Sequence, residues 1–234
     1  MRTGRGVYLL GLLIYLCLAG CVVGPGDGKR PAILVPPVEE LEQPFAKVAV
    51  LDGRSKMLPE ARREYVTLHG KRYEVRRPWQ GHRVDLGLSS EGKNLVVLPY
   101  EFTYPKAQIY VTAATAEALT RMVSAARNDG VILQVDSGYR SLLYQRSIYL
   151  RQLQAGRDFY DIAKGVAPPG YSEHMTGTAV DLVPSDWTFH GSEAEKWLGQ
   201  NARKYDFVLS YRQNDKNGFL WEPWHWRYAG RAKD

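Results

Sequence analysis

Apolar spacing divides the chain into stretches of different character. Residues 7–19 form an unbroken apolar run behind Arg2 and Arg5. This run is too short to cross a hydrocarbon layer of about 30 Å as a helix, and it has the length of the apolar part of an export signal. Residues 21–45 show no apolar period and are rich in Gly, Pro and charge, so they read as a flexible tether. Residues 46–94 carry β character. Two alternating runs, 65–68 and 72–75, flank a His69-Gly70-Lys71 turn and predict a hairpin within a β-rich N-terminal extension. Residues 95–230 alternate helical and strand patterns. A helix is expected over 118–128, with Thr115 or Ala116 near its start, Leu119, Met122, Val123 and Ala126 on one face and Gly130 as its stop. VILQVDSG reads as a buried strand. Ser141 can cap a second helix reaching about Ala155, and Ser192 with Glu195 makes a capping box for a third. TAVDLV, FVLSY and WHWRY supply further strands. Three helices packed on a small, mostly antiparallel sheet make an α+β domain.

The cysteines sharpen the reading of the N-terminus. The apolar run closes on Leu18-Ala19-Gly20-Cys21, which resembles a bacterial lipoprotein signal, in which small residues admit the signal peptidase and the cysteine thiol takes a lipid. Residues 1–20 are therefore expected to be a cleaved signal, and Cys21 the lipidation site that anchors an exported protein to a membrane of the cell envelope. Cys17 would leave with the signal, so no internal disulfide is expected and the fold must rest on its core. Loss of Arg2 and Arg5 lowers the formal charge from +6 to +4. The remaining cations are scattered, which gives no support to a nucleic-acid partner. The protein is expected to be a monomer.

The candidate chemistry lies in two segments about forty residues apart, SEHMTGTAVD (172–181) and EPWHWRY (222–228). His174, Asp181 and His225 read as three ligands of a zinc ion, and two imidazoles with one carboxylate leave a fourth position open, as catalytic sites do. His174 and Asp181 are seven apart with Gly177 between them, so they are not a helical pair. The glycine is expected to turn the backbone so that Asp181 projects from TAVDLV, opposite Val180 and Leu182. Glu222, three residues before His225, stands where a carboxylate could act as general base, with Pro223 permitting a kink that turns both inward. Arg140 in SGYRS is the candidate cation for a developing oxyanion. A substrate carboxylate could be met by Arg140, Gln145 and Ser172. His69, His82 and His190 read as structural.

DSGYRS, PPGYSEHMTGTAVDL and FLWEPWHWRY together resemble the VanY-type D-alanyl-D-alanine carboxypeptidases, over roughly residues 95–230. The resemblance implies a zinc peptidase with His174, Asp181 and His225 as ligands, Glu222 as base, Arg140 stabilising the transition state, and Ser172 and Gln145 near substrate. It implies peptidoglycan stem peptides as substrates and release of a C-terminal D-alanine. Asp206 in KYDF departs from the glycine common in that family and bears on a local turn. The alternatives are an L,D-carboxypeptidase or endopeptidase on the same peptides, a metal held only for stability, and a non-catalytic cell-wall-binding lipoprotein.

Overall fold

The computed structural model describes residues 63–85, 94–104 and 107–230. The expected signal, Cys21, the tether and KVAVLDG lie outside the described residues. In chain order the elements are β1 (Glu64–Leu68), β2 (Lys71–Val75), β3 (Leu95–Val97), β4 (Tyr110–Thr112), α1 (Ala113–Asn128), β5 (Val135–Ser137), α2 (Leu142–Gln154), α3 (Phe159–Ala163), β6 (Ala179–Leu182), α4 (Glu193–Asn201), β7 (Phe207–Leu209) and β8 (His225–Tyr228). The central sheet is antiparallel in the order β5-β6-β8-β7, and β1-β2 and β3-β4 form two small antiparallel sheets. This is the expected α+β class.

The helices form where capping and spacing agree. Helix α1 buries Ala118, Leu119, Met122, Val123 and Ala126 on one stripe and begins a turn earlier than expected. Its cap is Thr112, whose Oγ1 accepts from Thr115 N at 3.3 Å, and the alanines behind that cap are strong helix formers. The helix ends as Gly130 N donates to Arg127 O and Val131 N to Ala126 O, the paired bonds of a glycine-terminated helix. Those bonds commit Val131 to the helix end. Together with the 78% exposure of Ile132, this explains why only Val135–Ser137 of VILQVDSG pairs as strand. Ser141 and Ser192 cap α2 and α4 as expected, accepting from Tyr144 N and Glu195 N at 3.1 Å each. Helix α3 was not anticipated. It spans five residues behind an Asp158 cap, too short for periodicity to reveal.

Two apolar clusters hold these elements. The larger joins α1, α4 and the sheet face carrying Val135, Val180, Leu182, Phe207 and Trp226. The second joins the β1-β2 hairpin to α2 and α3 through Val66, Leu68, Val75, Tyr149, Phe159 and Ile162. The hairpin turns through His69 and Gly70, both at positive φ (48° and 69°), as a two-residue hairpin loop requires. Alone it would be marginal. It is held by packing: Trp79 Nε1 donates to Ala163 O at 2.6 Å and Arg146 Nη1 to Thr67 O at 2.6 Å. The boundary expected between residues 94 and 95 therefore has a shared hydrophobic cluster running across it.

Leu68 is 1% exposed on the hairpin's inner face. Leu68→Ala is expected to lower stability by about 2–5 kcal/mol in a single cooperative denaturant transition. An early, separate hairpin transition with the remainder unshifted would refute the shared cluster.

Candidate metal centre

Alternation along β6 sends Val180 and Leu182 into the core and leaves Asp181 on the opposite face. The β6-β8 register sets Asp181 directly across from His225. The third side chain arrives on a 3₁₀ turn, Glu173–Thr176, which ends at Gly177 with φ 69°. A Cβ at Gly177 would stand 2.9 Å from Leu95 Cδ2, so the turn needs both the left-handed backbone and the missing side chain. His174, Asp181 and His225 are all buried, and each offers a ligand atom within 4.8 Å of the others. Glu222 lies in the turn before β8, where His225 N donates to Glu222 O at 3.0 Å and Leu182 N to Trp224 O at 3.0 Å. That kink brings the Glu222 carboxylate to 3.9 Å from His225 Nδ1.

Hydrogen bonds fix which imidazole nitrogens are available. His174 Nδ1 is 2.6 Å from Gly138 O. A carbonyl only accepts, so Nδ1 carries the hydrogen and Nε2 presents its lone pair to the site. Arg140 Nη2 lies 2.9 Å from that Nε2 and 2.6 Å from Asp181 Oδ2. A cationic group thus already stands between two candidate ligands, which is the charge a metal would supply. His225 Nε2 is 3.0 Å from Glu173 Oε2, and Nδ1 is 3.0 Å from Asp181 Oδ1. Glu173 therefore engages the far nitrogen and leaves Nδ1 facing the other ligands. Two imidazole nitrogens and one carboxylate, each oriented by a further partner, fit zinc.

The ionisation states follow from the same contacts. Burial and the Arg140 charge lower His174 to about 4, outweighing the pull of Asp181. Burial would also lower His225, but its hydrogen bonds to Asp181 and Glu173 raise it to about 10. Burial opposes the charge of Asp181, yet the two imidazoles and Arg140 hold it well below the usual carboxylate range. Glu173 is brought down to about 2 because His225 and Arg227 outweigh its burial. Glu222 moves the other way. Burial raises it to about 7, with His225 pulling down and Asp181 pushing up.

Each candidate from the sequence has a definite place. Arg140 lies in the loop after β5, tethered by Nε to Ser137 Oγ at 3.0 Å. Ser172 is buried immediately before the 3₁₀ turn. Gln145 is buried on α2, donates to Ala167 O at 2.7 Å, and leaves its Oε1 without a partner among the described residues. His69, His82 and His190 lie outside the cluster. The sequence reading passed over Glu173 and Gly138. An acid directly before His174, and a base two residues after His225 on the same strand face, were the available signal. Arg227 Nε is 3.1 Å from Glu173 Oε1. Beyond Glu173 opens a cavity of about 410 Å³, lined among others by Trp79, His82, Tyr211, Phe219 and Arg227.

A model of the family described as VanY, D-alanyl-D-alanine carboxypeptidase, matches residues 108–231. The chain belongs to the VanY family. It is 33% identical over 125 residues to a D-alanyl-D-alanine carboxypeptidase of Enterococcus faecium, covering 52% of this chain and 38% of that protein. It is 30% identical over 152 residues to the bifunctional D-Ala-D-Ala dipeptidase and D-Ala-D-Ala carboxypeptidase VanXYC of Enterococcus gallinarum, covering 61% and 77%. Among solved structures, the LdcB LD-carboxypeptidase superposes with a TM-score of 0.55 at 34% identity, over 59% of this chain and 69% of that one. The chain spans about half the length of most curated relatives it matches. The β1-β2 hairpin precedes the VanY match, and the three candidate ligands, Glu222 and Arg140 all lie within it.

Two outcomes follow for the VanY-family centre. Near neutral pH, between His174 at about 4 and His225 at about 10, zinc uptake should release a proton from His225 and a further fraction of one from Glu222, which stands at about 7 before the ion lowers it. Affinity should therefore fall by at least about tenfold per unit as pH drops. Calorimetry in buffers of different ionisation enthalpy checks this, and release of no proton would contradict it. Glu173→Ala is expected to weaken zinc binding by about 10–100-fold in chelator competition.

Proposed function

We propose that this chain is a zinc-dependent carboxypeptidase that releases the C-terminal D-alanine of peptidoglycan stem peptides. The observation that carries the reading is Glu222, a half-buried carboxylate 3.9 Å from His225 Nδ1 and raised to about 7. A site that only holds a metal, or only binds cell wall, has no use for a titratable base at that position.

His174, Asp181 and His225 would hold the ion. When bound, zinc supplies Lewis acidity, which polarises an amide carbonyl and acidifies a water. The remaining work falls to the chain's own side chains. Glu222 takes a proton from the attacking water as the C–O bond forms, then gives it to the departing amine as the C–N bond breaks. Arg140, in contact with His174 Nε2 and Asp181 Oδ2, supplies a permanent positive charge for the oxyanion or the substrate carboxylate. Ser172 stands at the N-cap of the 3₁₀ turn and Gln145 holds Ala167 O of the segment leading to it at 2.7 Å, and we assign them to orienting the peptide end. The buried unpaired Gln145 Oε1 supports that assignment.

The second reading is an L,D-carboxypeptidase acting on the tetrapeptide, favoured by the likeness to the LdcB LD-carboxypeptidase. The N-terminal pattern supports an exported, lipid-anchored enzyme. Residues 1–20 would be removed, Cys21 acylated, and residues 21–45 would hold the domain within reach of the wall.

Glu222→Ala is expected to keep zinc and lose about 10²–10⁴-fold in turnover on purified pentapeptide muropeptides; an unchanged rate would remove Glu222 from the mechanism. Because the base must be ionised, kcat/KM should rise with pH along an acid limb. Its midpoint should lie at or below about 7, since burial raises Glu222 to about 7 and a bound dication lowers it again. Mass spectrometry of products decides specificity. Alanine released only from pentapeptide selects the D,D reading, and alanine released only from tetrapeptide selects the L,D reading.

A further inference from the structure

Beside the turn that carries Glu222, the surface holds a group of aromatic rings that the chemistry above does not use. Trp187 lies in a 3₁₀ turn, Trp187–Phe189, after β6. It is 55% exposed, whereas Trp79, Trp197 and Trp226 are 5–7% exposed. Its ring meets Trp224 at 5.5 Å and Trp221 at 5.8 Å, both edge to face, and His190 meets Trp221 at 4.6 Å. Trp221 immediately precedes Glu222, and Trp224 immediately precedes His225. Leu220, 50% exposed, continues the apolar surface along the chain.

The indole is held outward by its turn. Asp186 Oδ1 accepts from Thr188 N at 2.8 Å and from Thr188 Oγ1 at 2.6 Å, while Phe189 is buried in the main core. Apolar surface fixed in water carries an unfavourable hydration free energy, and a patch of this kind marks a binding surface.

Charge narrows the occupant. The exposed or half-exposed side chains beside the rings include Asp186, next to Trp187 in the chain, and Glu195, 3.0 Å from His190 Nδ1, and Lys196, next to Glu195 in the chain, is paired to Glu193 Oε1 at 2.7 Å. This acidity repels an anionic membrane. A neutral, flat ligand with C–H faces and a hydroxyl rim suits both the rings and the carboxylates, and a pyranose is such a ligand.

We infer that Trp187, backed by Trp221, Trp224 and His190, is a saccharide platform that holds the glycan part of a muropeptide while its stem peptide enters the metal site. The inference rests on the carboxypeptidase reading for its substrate.

The test compares kcat and KM for a disaccharide-pentapeptide and for the same pentapeptide without sugar, in wild type and Trp187→Ala, with thermal unfolding as a control for folding. The wild type is expected to show the lower KM on the sugar-bearing substrate. Trp187→Ala should raise that KM by about tenfold, leave kcat and the sugar-free peptide unchanged, and be largely rescued by Trp187→Tyr. Equal KM values for both substrates in wild type would overturn the platform. So would an equal loss on both in the variant, or binding to phosphatidylglycerol vesicles that depends on Trp187 in place of the sugar effect. If wild type cleaves neither substrate, the D,D reading falls by itself. Quenching of tryptophan fluorescence by the free disaccharide, present in wild type and lost in Trp187→Ala, then still decides the platform.

Discussion

Asp181 is a carboxylate on a strand whose neighbours on either side, Val180 and Leu182, are sealed in the core, and its charge has to be matched where it stands. An unmatched ion in such a place costs several kcal/mol. Arg140 and the charged His225 meet it, fastened from behind by Ser137 Oγ and by Glu173, while His174, hung from Gly138 O, stands beside it as a neutral imidazole. Arg227 then faces Glu173. The result is an alternating series of negative and positive groups along one face of the central sheet. The sheet register, the 3₁₀ turn and the kink before β8 all serve to deliver members of that series to within a few ångströms of one another.

In that arrangement the two histidines are not equivalent. His174 rests against a carbonyl and an arginine and is neutral. His225 rests between two carboxylates and is charged. A divalent ion entering the trio therefore meets one imidazole ready to donate and one that must first give up a proton. Glu222 shares the buried environment but has no close cationic partner as strong as those of Asp181, so it remains the group able to exchange a proton near neutrality.

Much of this was legible in the sequence because it rests on local rules. Ser141 and Ser192 announced their helices by capping, His69-Gly70 announced the hairpin, and the alternation of Val180, Asp181 and Leu182 separated core from site. The spacing of His174, Asp181 and His225 about Gly177 and Pro223 was readable as a candidate ligand set with a candidate base, and the three ligand candidates do converge. What escaped notice depends on partners distant in the chain. Glu173 has a role only because β8 brings His225 and Arg227 beside it. The N-terminal hairpin is part of the packed body only because α2 and α3 offer it an aromatic wall. The ending of α1 consumes Val131, a residue whose composition suggests strand. Asp206, the departure noted in KYDF, occupies a left-handed backbone position with φ 64°, a conformation that glycine adopts at no steric cost.

Gly138 joins two parts of the molecule that are separate in the chain. Its carbonyl orients His174, and a side-chain carbon there would stand 2.6 Å from Tyr110 O and 2.6 Å from Ile109 Cγ2. The backbone at this point is a seam, with the β3-β4 ribbon pressed against one side and a metal-site imidazole hung from the other. Evolutionary drift in the outer ribbon is therefore not silent. A substitution that shifts Ile109 or Tyr110 by a few tenths of an ångström moves the hinge from which a ligand is suspended, so the ribbon is tied to the chemistry although it contributes no atom to it.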